Sequence, residues 1–178
     1  MYLTISWGVG NLPGFEPELL AMIPRPVKAI IFLYPLTEAT KAFKQQEEVH
    51  LKAREQNISP KVAFFKQTIS NACGMMALLH ALTNNEDIVG PGLFRQIIED
   101  TRQMSLDERV EYLETCQTLA SVHASSAQEG QTRPPSLDKQ MSDHFICFIE
   151  GAAELMKKFI QREPDGNNYN AIALSKVQ

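Results

Sequence analysis

The chain has 178 residues, 44% of them hydrophobic and 21% charged, which excludes a disordered or fibrous protein and gives room for one sizeable core in a single domain spanning residues 1–178. The net charge of −4 comes without any basic block, so the electrostatic footprint of a nucleic-acid binder is missing. The longest apolar run, "AIIFLYPL", falls far short of the ~20 residues of a membrane helix, and no basic flank precedes an apolar signal core; no membrane contact is expected, and the cytoplasm, or the nucleus, is the expected compartment.

From the N-terminus, "MYLTISWGVG" starts as a short strand that should break at Gly8 and Gly10, and "PELLAM" reads as a helical turn. "VKAIIFLY" is β-branched and apolar on both faces, as a buried strand should be. "TEATKAFKQQEEVHLKARE" is a charged, solvated helix with Thr37 as its cap. "KVAFFK" reads as another strand, and Ser70 or Asn71 should cap the helix that follows. "GPGLFRQIIEDTRQM" gives a further helix, after which Ser105 and Glu108 fit a capping box before "RVEYLETCQTLA". From Ser121 to Ser142 the composition turns to Ser, Gln, Gly and Pro, predicting a long loop of the kind that usually has a function. "HFICFI" is a strand, "AAELMKKFIQRE" an amphipathic helix and "NYNAIALS" a last strand. With no regular strand–helix–strand repeat, the expected class is α+β.

The three cysteines, Cys73, Cys116 and Cys147, form no Cys-x-x-Cys pair, which argues against a disulfide framework and a structural zinc site alike. Cys73 opens a helix in "KQTISNACGMMALLHAL", where exposed N–H groups and the positive end of the dipole favour a thiolate. It is either a packed core thiol or a nucleophile. Cys116 lies late in a predicted helix and Cys147 in an apolar strand. His80 sits two turns after Cys73, ~10.5 Å along the axis, too far for a direct bond, and reads as structural. His144 opens an apolar strand directly after the long polar loop, and is a hydrogen-bonded core histidine or a placed base. His50 and His123 read as solvated. Gln67 ends the preceding strand or donates its amide N–H to an oxyanion. Gly74 would let a substrate approach the thiol.

These segments resemble a known family. "FFKQTISNACGMMALLHALTNN" is similar to the nucleophile segment of the ubiquitin C-terminal hydrolases, the papain-like cysteine deubiquitinases of peptidase type C12. "PELLAMIPRPVKAIIFLYPLTE", "MSLDERVEYLE", "SSAQEGQT" with "HFICFIE", and "REPDGNNYNAIALS" are similar to its other segments, covering about Pro17 to the end. The resemblance implies a papain-like fold with a central antiparallel sheet flanked by helices. It implies thiol-dependent hydrolysis of ester, amide or peptide bonds at the C-terminal glycine of ubiquitin, with no metal or organic cofactor. The implied partners are ubiquitin and its small C-terminal adducts. Cys73 would be the nucleophile, His144 the general base and proton donor, and Gln67 the oxyanion donor; residues 121–142 would cross over the active site and restrict the leaving group.

The chain also departs from the family pattern. "HFICFIEG" passes straight into "AAELMKKFIQRE", where the family continues into a strand carrying "LxELDG", whose Asp orients the histidine. "MYLTISWGVGNL" has no clear counterpart. The expectation is a shortened member lacking some strands and the catalytic acid, since Asp143 should point away from His144, and Glu150 lies ~20 Å along the strand. The rival expectation is a ubiquitin-binding module of little or no activity.

Overall fold

A computed structural model describes residues 7–14, 16–53, 59, 61–129, 143–149, 152–162 and 169–176. The elements in chain order are strand β1 (Trp7–Asn11), helix α1 (Pro17–Ala21), β2 (Val27–Pro35), α2 (Glu38–Lys52), α3 (Cys73–Thr83), a short 3-10 turn (Glu86–Ile88), α4 (Leu93–Thr101), α5 (Leu106–Thr115), α6 (Gln117–Glu129), β3 (Asp143–Phe148), α7 (Ala152–Arg162) and β4 (Asn170–Lys176). The four strands form one antiparallel sheet in the order β1-β4-β2-β3. The α+β expectation holds.

The period-2 alternation of β2 explains the layering. Ile30, Phe32 and Tyr34 pack with Met156 and Phe159 of α7 and with Phe43 of α2. Ala29 and Ile31 pack on the other face against Ala81 and Leu82 of α3. The sheet therefore lies between two helical layers. Behind α3, Met76 and Leu79 join Ile97, Leu113 and Leu119 in a third cluster. Fully burying one such side chain contributes roughly 1.5–3 kcal/mol.

Local chemistry sets the joints. Thr37 accepts from the Thr40 N–H, Thr40 Oγ1 accepts from the Thr37 N–H at 2.9 Å, and the Thr40 hydroxyl donates to the Pro35 carbonyl at 3.0 Å, tying the start of α2 to the end of β2. Ser105 and Glu108 form the expected capping box, the Ser105 N–H donating to Glu108 Oε2 at 2.7 Å.

Four expectations need correction. β1 does not break at its glycines: it runs through Gly8 and Gly10, which pair with Ser175 and Ala173 on the neighbouring β4, and open space surrounds Gly10. "KVAFFK" is extended but belongs to no sheet; its backbone is held by side chains instead, as described below. Neither Ser70 nor Asn71 caps α3. Ala72 occupies the cap position without a side-chain bond, while Asn71 takes the left-handed conformation (φ 58°) that turns the chain into the helix, a conformation asparagine tolerates well. Finally, α6 carries helix through Glu129, so the first part of the expected loop is helical; Ala and Gln among its serines, with no Gly or Pro before residue 130, allow this. Residues 130–142, with the Gly and Pro, lie outside the described residues.

Candidate active site

Residues 62–68 run across the end of α3, and what holds them is unusual for an extended segment. The Ala63 N–H donates to Asn84 Oδ1 at 2.8 Å, and Asn84 Nδ2 donates to the Ala63 carbonyl at 2.8 Å and the His80 carbonyl at 2.9 Å. Two residues on, the Phe65 N–H donates to His80 Nε2 at 3.0 Å. Arg109 of α5 donates to the Phe64 carbonyl at 3.1 Å and stands over the Phe65 ring. An amide, an imidazole and a guanidinium thus replace a neighbouring strand and satisfy the backbone.

His80 is accordingly structural, as expected. His80 Nε2 lies 3.0 Å from the Phe65 nitrogen and 3.2 Å from the Phe65 carbonyl oxygen, so the ring bridges this backbone, and burial holds its pKa below the ordinary value. Its ring stacks on Phe64 at 5.3 Å and 9°.

Cys73 is the first residue of α3 and is buried, 8% exposed. Because no side chain caps this helix, its first N–H groups keep no internal partner. Gly74 does not open the thiol to a substrate. A Cβ there would meet the Phe145 ring of β3 at 3.5 Å, an ordinary contact, so this residue faces the sheet.

His144 is the second residue of β3, opposite Tyr34, while Phe145 lies opposite Leu33 and Cys147 opposite Ile31. It shares a face with Tyr34, whereas Phe145 and Cys147 face α3. Cys73 and His144 therefore reach the site from two sides of the edge strand β3. Both line one cleft of about 250 Å³, together with Gln67, His80 and Phe64. Gln67 is exposed, and its amide donates to the Ile69 carbonyl at 3.3 Å; presenting that N–H to an oxyanion requires exchanging this bond.

The electrostatics around His144 contain a residue that the sequence did not signal. Burial first, and the Lys44 ammonium second, hold the His144 pKa below its ordinary value. Lys44 Nζ sits 5.3 Å from the centre of the Tyr34 ring, and His144 meets the same ring edge-on, centre to centre 5.8 Å. The Tyr34 hydroxyl is buried without a hydrogen-bond partner among the described residues, and burial together with the Cys73 thiol pushes its pKa up. Asp143 lies opposite Pro35, on the other face of the strand from His144, as expected; Glu150 lies outside the described residues.

The other two thiols are placed differently. Burial pushes the Cys147 thiol up to about 11. Cys116 is not late in a helix: it separates α5 from α6, and its carbonyl accepts the Ala120 N–H, so it stands at the start of α6. The expected place late in a helix, where the dipole would disfavour a thiolate, is thus corrected, and Cys116 is distinguished from Cys73 by being less buried and away from the cleft.

A family model described as ubiquitin carboxyl-terminal hydrolase, family 1, matches residues 3–160. The chain belongs to this family. The match begins upstream of Pro17, so the opening strand is part of the resemblance after all. Ubiquitin carboxyl-terminal hydrolase isozyme L1 of Homo sapiens is 31% identical over 203 positions, covering 97% of this chain and 89% of that protein. The ubiquitin carboxyl-terminal hydrolase of Aplysia californica is 32% identical, covering 90% and 86%. These alignments run over more positions than the chain has residues, so the relatives carry segments that this hydrolase lacks. The fold is similar to the Trichinella spiralis UCH37 catalytic domain bound to ubiquitin vinyl methyl ester, with a TM-score of 0.69 and 19% identity over 98% of this chain and 87% of that one.

Proposed function

We propose that this chain is a single cysteine-hydrolase domain that cleaves ester, amide or peptide adducts at the C-terminal glycine of ubiquitin, with Cys73 as nucleophile, His144 as general base and proton donor, and Gln67 as oxyanion donor. The observation that carries this reading is the convergence of Gln67, Cys73 and His144 on one cleft. The Cys73 thiol gives its proton to His144 and its sulfur bonds to the glycine carbonyl carbon. His144 returns the proton to the leaving group as the carbon–leaving-group bond breaks, and water hydrolyses the thioester that remains. The uncapped first turn of α3 is suited to the oxyanion, beside Gln67.

The segment 121–142, whose residues 130–142 lie outside the described residues, is proposed to limit the leaving group to small adducts. Three free thiols fit a reducing cytoplasmic setting, and no described helix is long and apolar enough to cross a membrane.

The test is incubation with ubiquitin vinyl methyl ester and with ubiquitin carrying a C-terminal fluorophore. Wild type is expected to gain the mass of one ubiquitin at Cys73 and to release the fluorophore, and Cys73→Ala to do neither. Binding of ubiquitin with neither adduct nor release would favour a binding module, and adduct formation in Cys73→Ala would refute the assignment of the nucleophile.

A further inference from the structure

We propose that Lys44 is a positioning residue that sets the protonation of His144, its ammonium standing on the Tyr34 ring that His144 meets edge-on and opposing the imidazolium that a thiolate partner requires. The inference rests on the reading of His144 as the base.

Three elements fix the arrangement. Tyr34 is fully buried and held by Phe32 at 6.0 Å and by Phe159 of α7 at 4.7 Å, so its ring cannot move aside. β3 places His144 directly opposite Tyr34 through the backbone ladder. Lys44 lies one turn after Thr40, whose hydroxyl locks the start of α2 to the end of β2. The lysine and the histidine thus face one immobile ring from two different elements. Burial lowers the Lys44 pKa from its ordinary value, the mark of an amine whose stem runs over protein.

The other titratable and charged groups of the elements packed around His144 include a single described carboxylate on its own strand, Asp143. Tyr34 on β2 is neutral, with a raised pKa. From α3, Cys73 and His80 share the cleft, and burial holds the His80 pKa below its ordinary value. α7 brings the apolar Met156 and Phe159 to the ring of Tyr34 and also carries Lys157 and Lys158, cations like Lys44. On its own strand His144 is flanked by Asp143, which lies on the opposite face, and by Phe145.

A cation beside a base lowers the fraction of base that can hold a proton. When Cys73 gives its proton to His144, the product is an imidazolium, and Lys44 makes that product less stable. The lysine acts here in the sense opposite to an orienting carboxylate.

The test is a titration of the imidazole signals of isotope-labelled full chain by NMR, in wild type, Lys44→Arg, Lys44→Met and Lys44→Glu, paired with the rate of adduct formation with ubiquitin vinyl methyl ester. Lys44→Met is expected to raise the His144 midpoint by roughly half a pH unit, giving about threefold more imidazolium above the midpoint, and Lys44→Glu by more. Lys44→Arg should leave it in place, and about 0.5 M salt should shrink the differences. Adduct formation near neutral pH should rise in the same order. An unchanged midpoint in Lys44→Met and Lys44→Glu, or an equal rise in Lys44→Arg, overturns the proposal. If no variant forms an adduct but the midpoint moves as expected, Lys44 governs His144 and it is the hydrolase reading that has failed.

Discussion

Asn84 offers the sharpest test of how the cleft is built. Its amide makes three hydrogen bonds, two to Ala63 and one to the His80 carbonyl. A net hydrogen bond contributes about 1 kcal/mol, and a donor or acceptor left half-buried without water costs somewhat more. Asn84→Ala should therefore destabilise the fold by about 2–3 kcal/mol, or roughly 5–10 °C in Tm for a chain of this length. Asn84→Asp keeps the acceptor for the Ala63 N–H but sets a carboxylate against two carbonyls, so it should be no better than alanine. Urea unfolding followed by circular dichroism gives the free energy. Hydrolysis of the ubiquitin–fluorophore substrate well below the melting point gives the second readout. It should fall about tenfold, because residues 62–68 carry Gln67 and one wall of the cleft, and small displacements of reacting groups are costly. A loss under about 0.5 kcal/mol in Asn84→Ala would refute the idea that side chains stand in for a neighbouring strand here.

Three more expectations follow from the same geometry. His80 and His144 both have depressed pKa values, so the unfolded chain binds more protons and their contribution, complete above the unfolded value of about 6.5, is lost as pH falls through the lower folded values; unfolding free energies should decline from pH 7.5 to 5.5, and a rise would contradict it. With its thiol near 11, Cys147 should be the last cysteine alkylated by iodoacetamide in folded protein at neutral pH, as peptide mass mapping would show; early modification there would refute its burial. Ser105→Ala removes one half of a capping box and should cost about 1 kcal/mol, with a Tm fall of about 2–4 °C; an unchanged melting curve would show that the box contributes nothing.

Much of this was legible in the residues. β2 declared itself because an unbroken β-branched and aromatic run has only one stable home, between two layers. Thr37, Ser105 and Glu108 marked their helix starts because capping is local chemistry. Two of the failures come from partners distant in sequence. "KVAFFK" has strand composition, but whether its backbone meets a strand or an asparagine 21 residues away is invisible locally. Gly8 and Gly10 read as breakers, yet ladder pairing with Ser175 and Ala173, far away in sequence, holds them in the strand. Cys73 and His144 came from a helix start and a strand start, both local. Lys44 was missed because its meaning depends on the ring beneath it, and a lysine in a charged helix looks like any other; the only hint was that it falls one turn after the buried Thr40.

The place of β4 in the sheet has a consequence for how the molecule is made. β4 joins β1 to β2, yet it follows every other element in the chain, and Trp7 finds its partner only in Lys176. During synthesis β1 therefore emerges with no neighbour and waits until nearly all the later residues have been translated. Pairings across such separations are slow to form, since the closure entropy of the longest loop comes before any reward. In that interval the nascent chain carries two strands, β1 and β2, that each present an open edge where β4 will lie, and chaperone capture or aggregation competes with closure. Shortening the interval by circular permutation, with β4 translated directly before β1, should raise soluble yield while leaving the cleft unaltered.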